Sequence, residues 1–270
     1  MFTATLKQAS TLKKVVDGIK DIVSEGNLEF SEVGLSLQAM DSAHISLVAM
    51  LISSETFEDY SCPKAFCQGI NFVQLSKILK FASNDDRMKI SSTCVTTTVL
   101  FTFTSKSGER ISEFEINAID LQTEVVGIPD TTYPNTVKLP SSEFRDLMTK
   151  MAQLGDAIEF EGAKNALKLS VSGKMGSGCV VIKSTADKSI QIDMPEQMSV
   201  TFGTKFLCMF AMPSSAYESA YLSMSSSFPL LIEYVIEKVG YLRFYLSPYI
   251  SADADEHSSK KRTRETAEEE

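Results

Sequence analysis

The stretch LKKVVDGIKDIV, residues 12–23, carries apolar side chains at 12, 15, 16, 19, 22 and 23. That spacing is the i, i+3, i+4, i+7 stripe of an amphipathic helix. The same opening returns at Leu75, Ile78 and Leu79, at Phe144, Leu147 and Met148, and at Phe206, Met209 and Phe210. The anchors at 12, 75, 144 and 206 are separated by 63, 69 and 62 residues, and by 132 and 131 when taken two at a time. A fixed period marks internal duplication. The chain therefore reads as two similar halves, each made of two smaller units.

Between these helices the pattern has period two. LSLQAM, HISLVAML, VTTTVLFTFT, RISEFEIN, ALKLSVSG, GCVVIKS, LLIEYVIE and YLRFYL alternate or are rich in β-formers, with turn signals such as SKSG and EGAKN between them. Each unit is one helix plus several antiparallel strands, an α+β architecture. A single sheet in each half, continuing at its edges, fits the strand count. SGKMGSG, 172–178, lacks the G-K-[ST] ending of a phosphate loop and is read as a hairpin turn.

Residues 118–135 break both periods and hold Gly127, Pro129 and Pro134. They form a linker between a first domain at 1–117 and a second at 136–252. Residues 253–270 are almost wholly polar and read as a disordered charged tail.

The 270 residues are 43% hydrophobic, enough for a packed core, with no apolar run long enough to cross a membrane. Five cysteines, an odd number without a C-x-x-C pair, argue against a disulfide framework or a structural zinc site. No metal site or cofactor is expected, and the chain is read as a cytosolic or nuclear protein.

Net charge is −9, the reverse of a simple nucleic-acid binder. The charges are sorted, however. Lys13, Lys14 and Lys20 lie opposite the first apolar stripe with Asp17 and Asp21 among them. The second helix adds Lys77 and Lys80. The third sets Arg145 and Lys150 against Glu143 and Asp146, and the fourth adds Lys205. The helices thus carry +4 by this count, and the remainder of the chain −13. A solvated face accounts for any one such helix. Four related helices with one bias point to a surface facing phosphates. Without a base-reading cluster, its contacts would be independent of sequence.

Met40, Asp41, Ser42 and His44 crowd into five positions, and only one other histidine, His257, exists. A Ser-His-acid triad needs three groups oriented together, whereas neighbours on one strand point to opposite faces. No catalytic residue is assigned. Strand core is the plain reading of Met40 and Leu47.

GLSLQAMDSAHISLV (34–48), LSKILK (75–80), VGIPD (126–130), LGD (154–156) and PLLIEYVIEKVGYLRFYLSP (229–248), in that order, resemble the eukaryotic DNA sliding clamps over residues 1 to about 250. The resemblance implies two similar domains per chain, closed head-to-tail into a homotrimeric ring. Helices line its hole and sheets form its outside. The function implied is that of a processivity factor around duplex DNA, not an enzyme. A subunit of a hetero-oligomeric checkpoint-type clamp is the alternative.

By position, the resemblance places Lys13, Lys14, Lys20, Cys62, Lys64, Lys77 and Lys80 at the DNA, with Arg145, Lys150 and Lys205 from the second half. Met212 stands where the family usually has a lysine. It implies a pocket for a short partner motif with three walls. The first is Met40, His44, Ile45 and Leu47, the second Val126, Ile128, Pro129 and Tyr133, and the third Pro229, Leu230, Tyr245 and Pro248. Implied partners are delta-type DNA polymerases, flap endonuclease, DNA ligase and the clamp loader, with no membrane. Arg110, Phe114, Met151, Leu154, Met175, Cys179 and Val181 fall at the implied subunit contact, made by edge strands at 109–117 and 175–183. Lys164 matches a ubiquitin and SUMO attachment site. KKRTR, 260–264, resembles a nuclear-import patch, so the nucleus is the expected location.

Overall fold

The computed structural model describes residues 1–93, 97–122, 131–163, 165–236 and 240–249. The first unit comprises β1 (Phe2–Leu6), α1 (Ser10–Ile19), β2 (Glu25–Phe30), β3 (Gly34–Met40) and β4 (Ser46–Ser53). After a short β5 (Asp59–Ser61) come β6 (Phe66–Asn71), α2 (Phe72–Leu79), β7 (Arg87–Ser92), β8 (Thr98–Thr104) and β9 (Ile111–Asn117). The second half repeats the order. It opens with β10 (Asn135–Pro140), α3 (Ser141–Met151), β11 (Ala157–Ala163), β12 (Ala166–Gly173) and β13 (Gly176–Lys183). A short β14 (Gln191–Asp193) precedes β15 (Met198–Gly203), α4 (Thr204–Phe210), β16 (Ser219–Met224), β17 (Leu230–Ile236) and β18 (Gly240–Leu246). The unit, a strand, a helix and three strands, thus occurs four times, once at each apolar stripe. Residues 172–178 join β12 to β13 as a hairpin.

The helices owe their form to that stripe. α1 buries Leu12, Val15, Val16 and Ile19. α2 is capped by Asn71, whose side chain accepts from the Gln74 amide, satisfying one of the donors a helix start leaves free. α1 and α2 lie side by side, the Ser76 hydroxyl reaching Asp17 at 3.1 Å. A 3₁₀ turn at Met212–Ser215 sets Pro213 against Gly18 of α1, so the helical layers of the two halves meet there.

The strands do not form one sheet per half. The orders are β5-β1-β7-β8-β9, then β14-β10-β16-β17-β18-β4-β3-β2-β6, then β13-β12-β11-β15. Within each half, the first strand of one unit pairs with the second strand of the other. The two strands that flank each helix therefore lie in different sheets, and each unit finishes the other's sheet. The nine-stranded sheet crosses from half to half through β18 and β4, with Leu242 opposite Met50 and Phe244 opposite Val48. Phe244 is fully buried and stacks on Phe210 at 4.8 Å.

Past β9 the chain turns back onto the edge at β6, where the Ile119 amide donates to the Gly69 carbonyl at 2.8 Å. A Cβ at Gly69 would stand 2.2 Å from the Ile119 carbonyl oxygen. Gly69→Ala is expected to lift residues 118–121 off this edge while leaving the sheet. Faster exchange of the Ile119 amide, with β2 and β3 protection unchanged, is the result to look for.

Candidate functional site

On the outer face of the nine-stranded sheet, strand alternation sets Met40, Leu47, Tyr245 and Leu231 in one row. Their neighbours Val48, Met50, Phe244 and Ile232 point into the core. Leu47 is buried yet stands outside the core cluster. At one end of the row the β3–β4 turn lifts His44 and Ile45 into solvent, His44 in the left-handed region at φ 55°. At the other end, Tyr133 donates to the Pro229 carbonyl at 2.9 Å and packs edge-on to Phe228. Burial and the nearby Tyr245 push the Tyr133 phenol up to about 12. Exposed Pro229 and Pro248 complete the rim. The row is an apolar floor between two projecting segments, a shape suited to a short peptide with apolar side chains.

Asp41 builds the first of those segments. Its buried carboxylate accepts from the amides of Ala43 (3.0 Å), Ile45 (2.9 Å) and Ser46 (2.6 Å), and from the Ser46 hydroxyl (3.1 Å). Burial alone would raise its pKa, but these donors outweigh it and hold the carboxyl below the ordinary value. The sequence pattern Asp-Ser-x-His therefore marks a loop clamp: the acid holds loop amides, and His44 faces outward.

Two positions on the implied list sit elsewhere. Leu230 has no exposure and belongs to the core, because alternation along β17 turns Leu231, not Leu230, outward. Cys62 is 7% exposed with its thiol turned to the Lys64 carbonyl, so of these two implied positions it is Lys64 that faces solvent. Val126, Ile128, Pro129 and Lys164 lie outside the described residues, as does the tail at 253–270.

On the helical layer, Lys14, Lys77, Lys80 and Lys205 are exposed and make no ion pair among the described residues. Lys13 donates to the Ala82 carbonyl at 2.6 Å. Lys20 is shared between Asp17 and Asp21, and Lys150 faces Asp146 at 3.6 Å. Arg145 is half-buried and Met212 is exposed.

The remaining positions gather at two open strand edges. β9 ends the five-stranded sheet and β13 the four-stranded one. Near β9, Phe81 is 64% exposed and packs on Phe114 at 4.8 Å, while Arg110 is fixed by Asp86 at 2.9 Å. Near β13, Leu154, Met175, Val181 and Cys179 are exposed, with Met151 buried beneath. The sequence reading missed Phe81 and Leu231. An aromatic residue beyond the last turn of a stripe, and the parity of LLIEYVIE, were the available signals.

Asp41→Ala would strand three amides, at a cost of about 1–3 kcal/mol. Denaturant unfolding should register that loss, with amide exchange rising at 43–46. Because the folded carboxyl is depressed, its contribution is present above the unfolded pKa of about 4 and is lost as pH falls through the folded value.

Two family models match the chain: proliferating cell nuclear antigen, N-terminal domain, over residues 1–125, and proliferating cell nuclear antigen, C-terminal domain, over 127–249. A proliferating cell nuclear antigen from Chaetomium thermophilum is 36% identical over 258 residues, covering 94% of this chain and all of that protein. With four repeated units, a fused central sheet and the open edges of β9 and β13 already in view, these matches show that the chain belongs to the proliferating cell nuclear antigen family, the eukaryotic DNA sliding clamps.

Proposed function

We propose that three copies close head-to-tail into a ring around duplex DNA, that the helical layer faces the duplex, and that the outer apolar row docks partner proteins. The observation that carries this reading is the pair of open edges. β18 and β4 are joined within the chain; their counterparts in the repeat, β9 and β13, are the two left free. A long unpaired edge invites another strand, and a head-to-tail joint that closes makes a ring.

The repeat supplies the register. β8–β9 matches β17–β18 through the pairs Phe101–Phe114 and Ile232–Phe244. β3–β4 matches β12–β13 through Leu37–Met50 and Leu169–Val180. Carrying the β18–β4 register across sets Ser112 opposite Val180, Glu113 opposite Cys179 and Phe114 opposite Gly178. Phe114 thus meets a residue without a side chain, above Leu154, which lies 3.6 Å from the Cβ position of Gly178. Phe81 and Met151 extend the apolar contact.

A ring closed on the duplex stays through topology, so its phosphate contacts can be few, weak and salt-sensitive, which permits sliding. Lys14, Lys77, Lys80 and Lys205 are the best placed, being exposed and without an ion pair among the described residues; Lys13, Lys20 and Lys150 must first leave carbonyl or carboxylate partners. The acidic remainder of the chain keeps the outside from adhering to DNA. Polymerases, flap endonuclease, ligase and the clamp loader are the partners the family implies for the outer pocket, and the nucleus is the implied location. The modification reading of Lys164 and the wall formed by Val126, Ile128 and Pro129 remain with the resemblance.

Three outcomes follow from this arrangement. Glu113→Cys should oxidise with Cys179 of the next copy to a covalent trimer. Light scattering that finds only monomers across micromolar concentrations would falsify the ring. Lys14, Lys77 and Lys80 reversed together to Glu should leave the trimer intact yet lower polymerase stimulation by about tenfold or more, since each lost phosphate contact weakens binding. Tyr245→Ala should weaken a partner peptide in calorimetry by about 1–3 kcal/mol, the scale of buried apolar area removed.

A further inference from the structure

Beyond Leu231 the row of the apolar dock continues in register. Leu231 stands opposite Ser223, and Ser223 opposite Thr136, so the outer face runs on across β17, β16 and β10 to the short edge strand β14. Val137, Leu222 and Ile192 are buried along these strands, which leaves hydroxyls and longer polar side chains on the outside. The sheet and the segment between β13 and β14 together line a cleft of about 690 Å³. No residue of β9 or β13 belongs to that lining, so the cleft is clear of both open edges.

Two lysines line it. Lys138 rises from β10 with its ammonium 5.7 Å from the centre of the Tyr221 ring. Lys188 comes from the segment between β13 and β14. Its amide donates to the Thr185 carbonyl at 3.1 Å, and its own carbonyl accepts from the Gln191 side chain at 3.0 Å. Neither lysine makes an ion pair among the described residues. The acids around them are mostly engaged. Glu233 is held by Arg243, and Asp187 accepts from the Ser189 amide (3.0 Å) and hydroxyl (2.8 Å). Asp193, opposite Thr136, is the lining acid without an ion pair among the described residues. Two cations against one such carboxylate leave the lining positive, in a chain whose net charge is −9.

We propose that this cleft takes an acidic segment of the same partner whose apolar side chains fill the dock, with Lys138 and Lys188 meeting its carboxylates. The inference rests on the dock reading of the apolar row. Charge selects the occupant: an apolar extension would cover both ammonium groups without a counter-charge, whereas carboxylates pair with them and also accept from the hydroxyls of Thr136 and Ser223. Two lysines in one cleft do not make the continuous basic track that a nucleic-acid strand follows. Position sets the spacing. From Leu231 to Lys138 is two strand spacings and two residues, about 12 Å, which about four extended residues span. The acids therefore begin about four residues from the side chain seated on Leu231.

Three synthetic peptides test this by calorimetry on the full chain. All carry one apolar and aromatic plug, with four Glu before it, four Glu after it, or four Gln on both sides, each flank starting four residues out. One acidic peptide should bind about two- to tenfold more tightly than the Gln peptide, the range for two exposed charge pairs, and the gain should fade in high salt. Lys138→Glu with Lys188→Glu should erase the gain and leave the Gln peptide's affinity unchanged. Should the reversal disturb the Gln peptide as well, Lys138→Gln with Lys188→Gln puts the same question without a new charge. Acidic flanks that gain nothing, or a gain that survives both double variants, overturn the cleft and leave the dock standing. A short single-stranded oligonucleotide that binds the cleft more tightly than the acidic flank assigns it to nucleic acid and also overturns it. Peptides that bind no differently to Tyr245→Ala protein overturn dock and cleft together.

Discussion

The backbone ladder between β18 and β4 is the constraint on which the rest depends. Each strand arrives from a different half, and pairing satisfies donors and acceptors that would otherwise line two open edges. Leu242 and Phe244 on one side and Met50 and Val48 opposite them are all buried along this ladder. The two halves therefore cannot rotate freely about their connector. The outer row that runs Met40, Leu47, Tyr245, Leu231 exists only because this seam is closed.

The same ladder explains what is left over. Four units of one design offer two places for such a seam, and one chain can close only one. β9 and β13 remain, with Phe114, Phe81 and Leu154 placed to cover an apolar patch that a monomer would expose. Duplication thus produces a head and a tail of matching form, which is what a closed ring of identical chains needs.

Repetition of backbone did not mean repetition of surface. The outer row and its counterpart on the four-stranded sheet share strands and register, yet one is floored by Met40 and Leu47 and the other by Ser172 and Ser177. The helical layer differs in the same way. Among the described residues, Lys14, Lys77 and Lys80 make no ion pair on the first half, while the second offers Lys205, likewise without one, a paired Lys150 and Met212. Surface chemistry thus differs among equivalent positions: the apolar row occurs on one of the two counterpart faces, and the exposed helical lysines lie mainly on the first half.

The four helices and the alternating strands were legible in the sequence, because burial imposes periods of 3.6 and two on any amphipathic element. The order of repeats and the acidic balance were legible for the same local reason. Three things were decided only by tertiary structure. The first is the sheet plan: one sheet per half was expected, and three arose because paired units exchange strands and β18 crosses to β4. The second is orientation at single positions, where Leu231 replaces Leu230, Cys62 turns inward and Phe81 emerges beside Phe114. The third is electrostatic state: sequence counts charges, but only packing shows Lys20 shared by two aspartates and Asp41 spent on loop amides. Local periodicity fixes which face of an element is apolar; which partner covers that face is a long-range matter that no single stretch encodes.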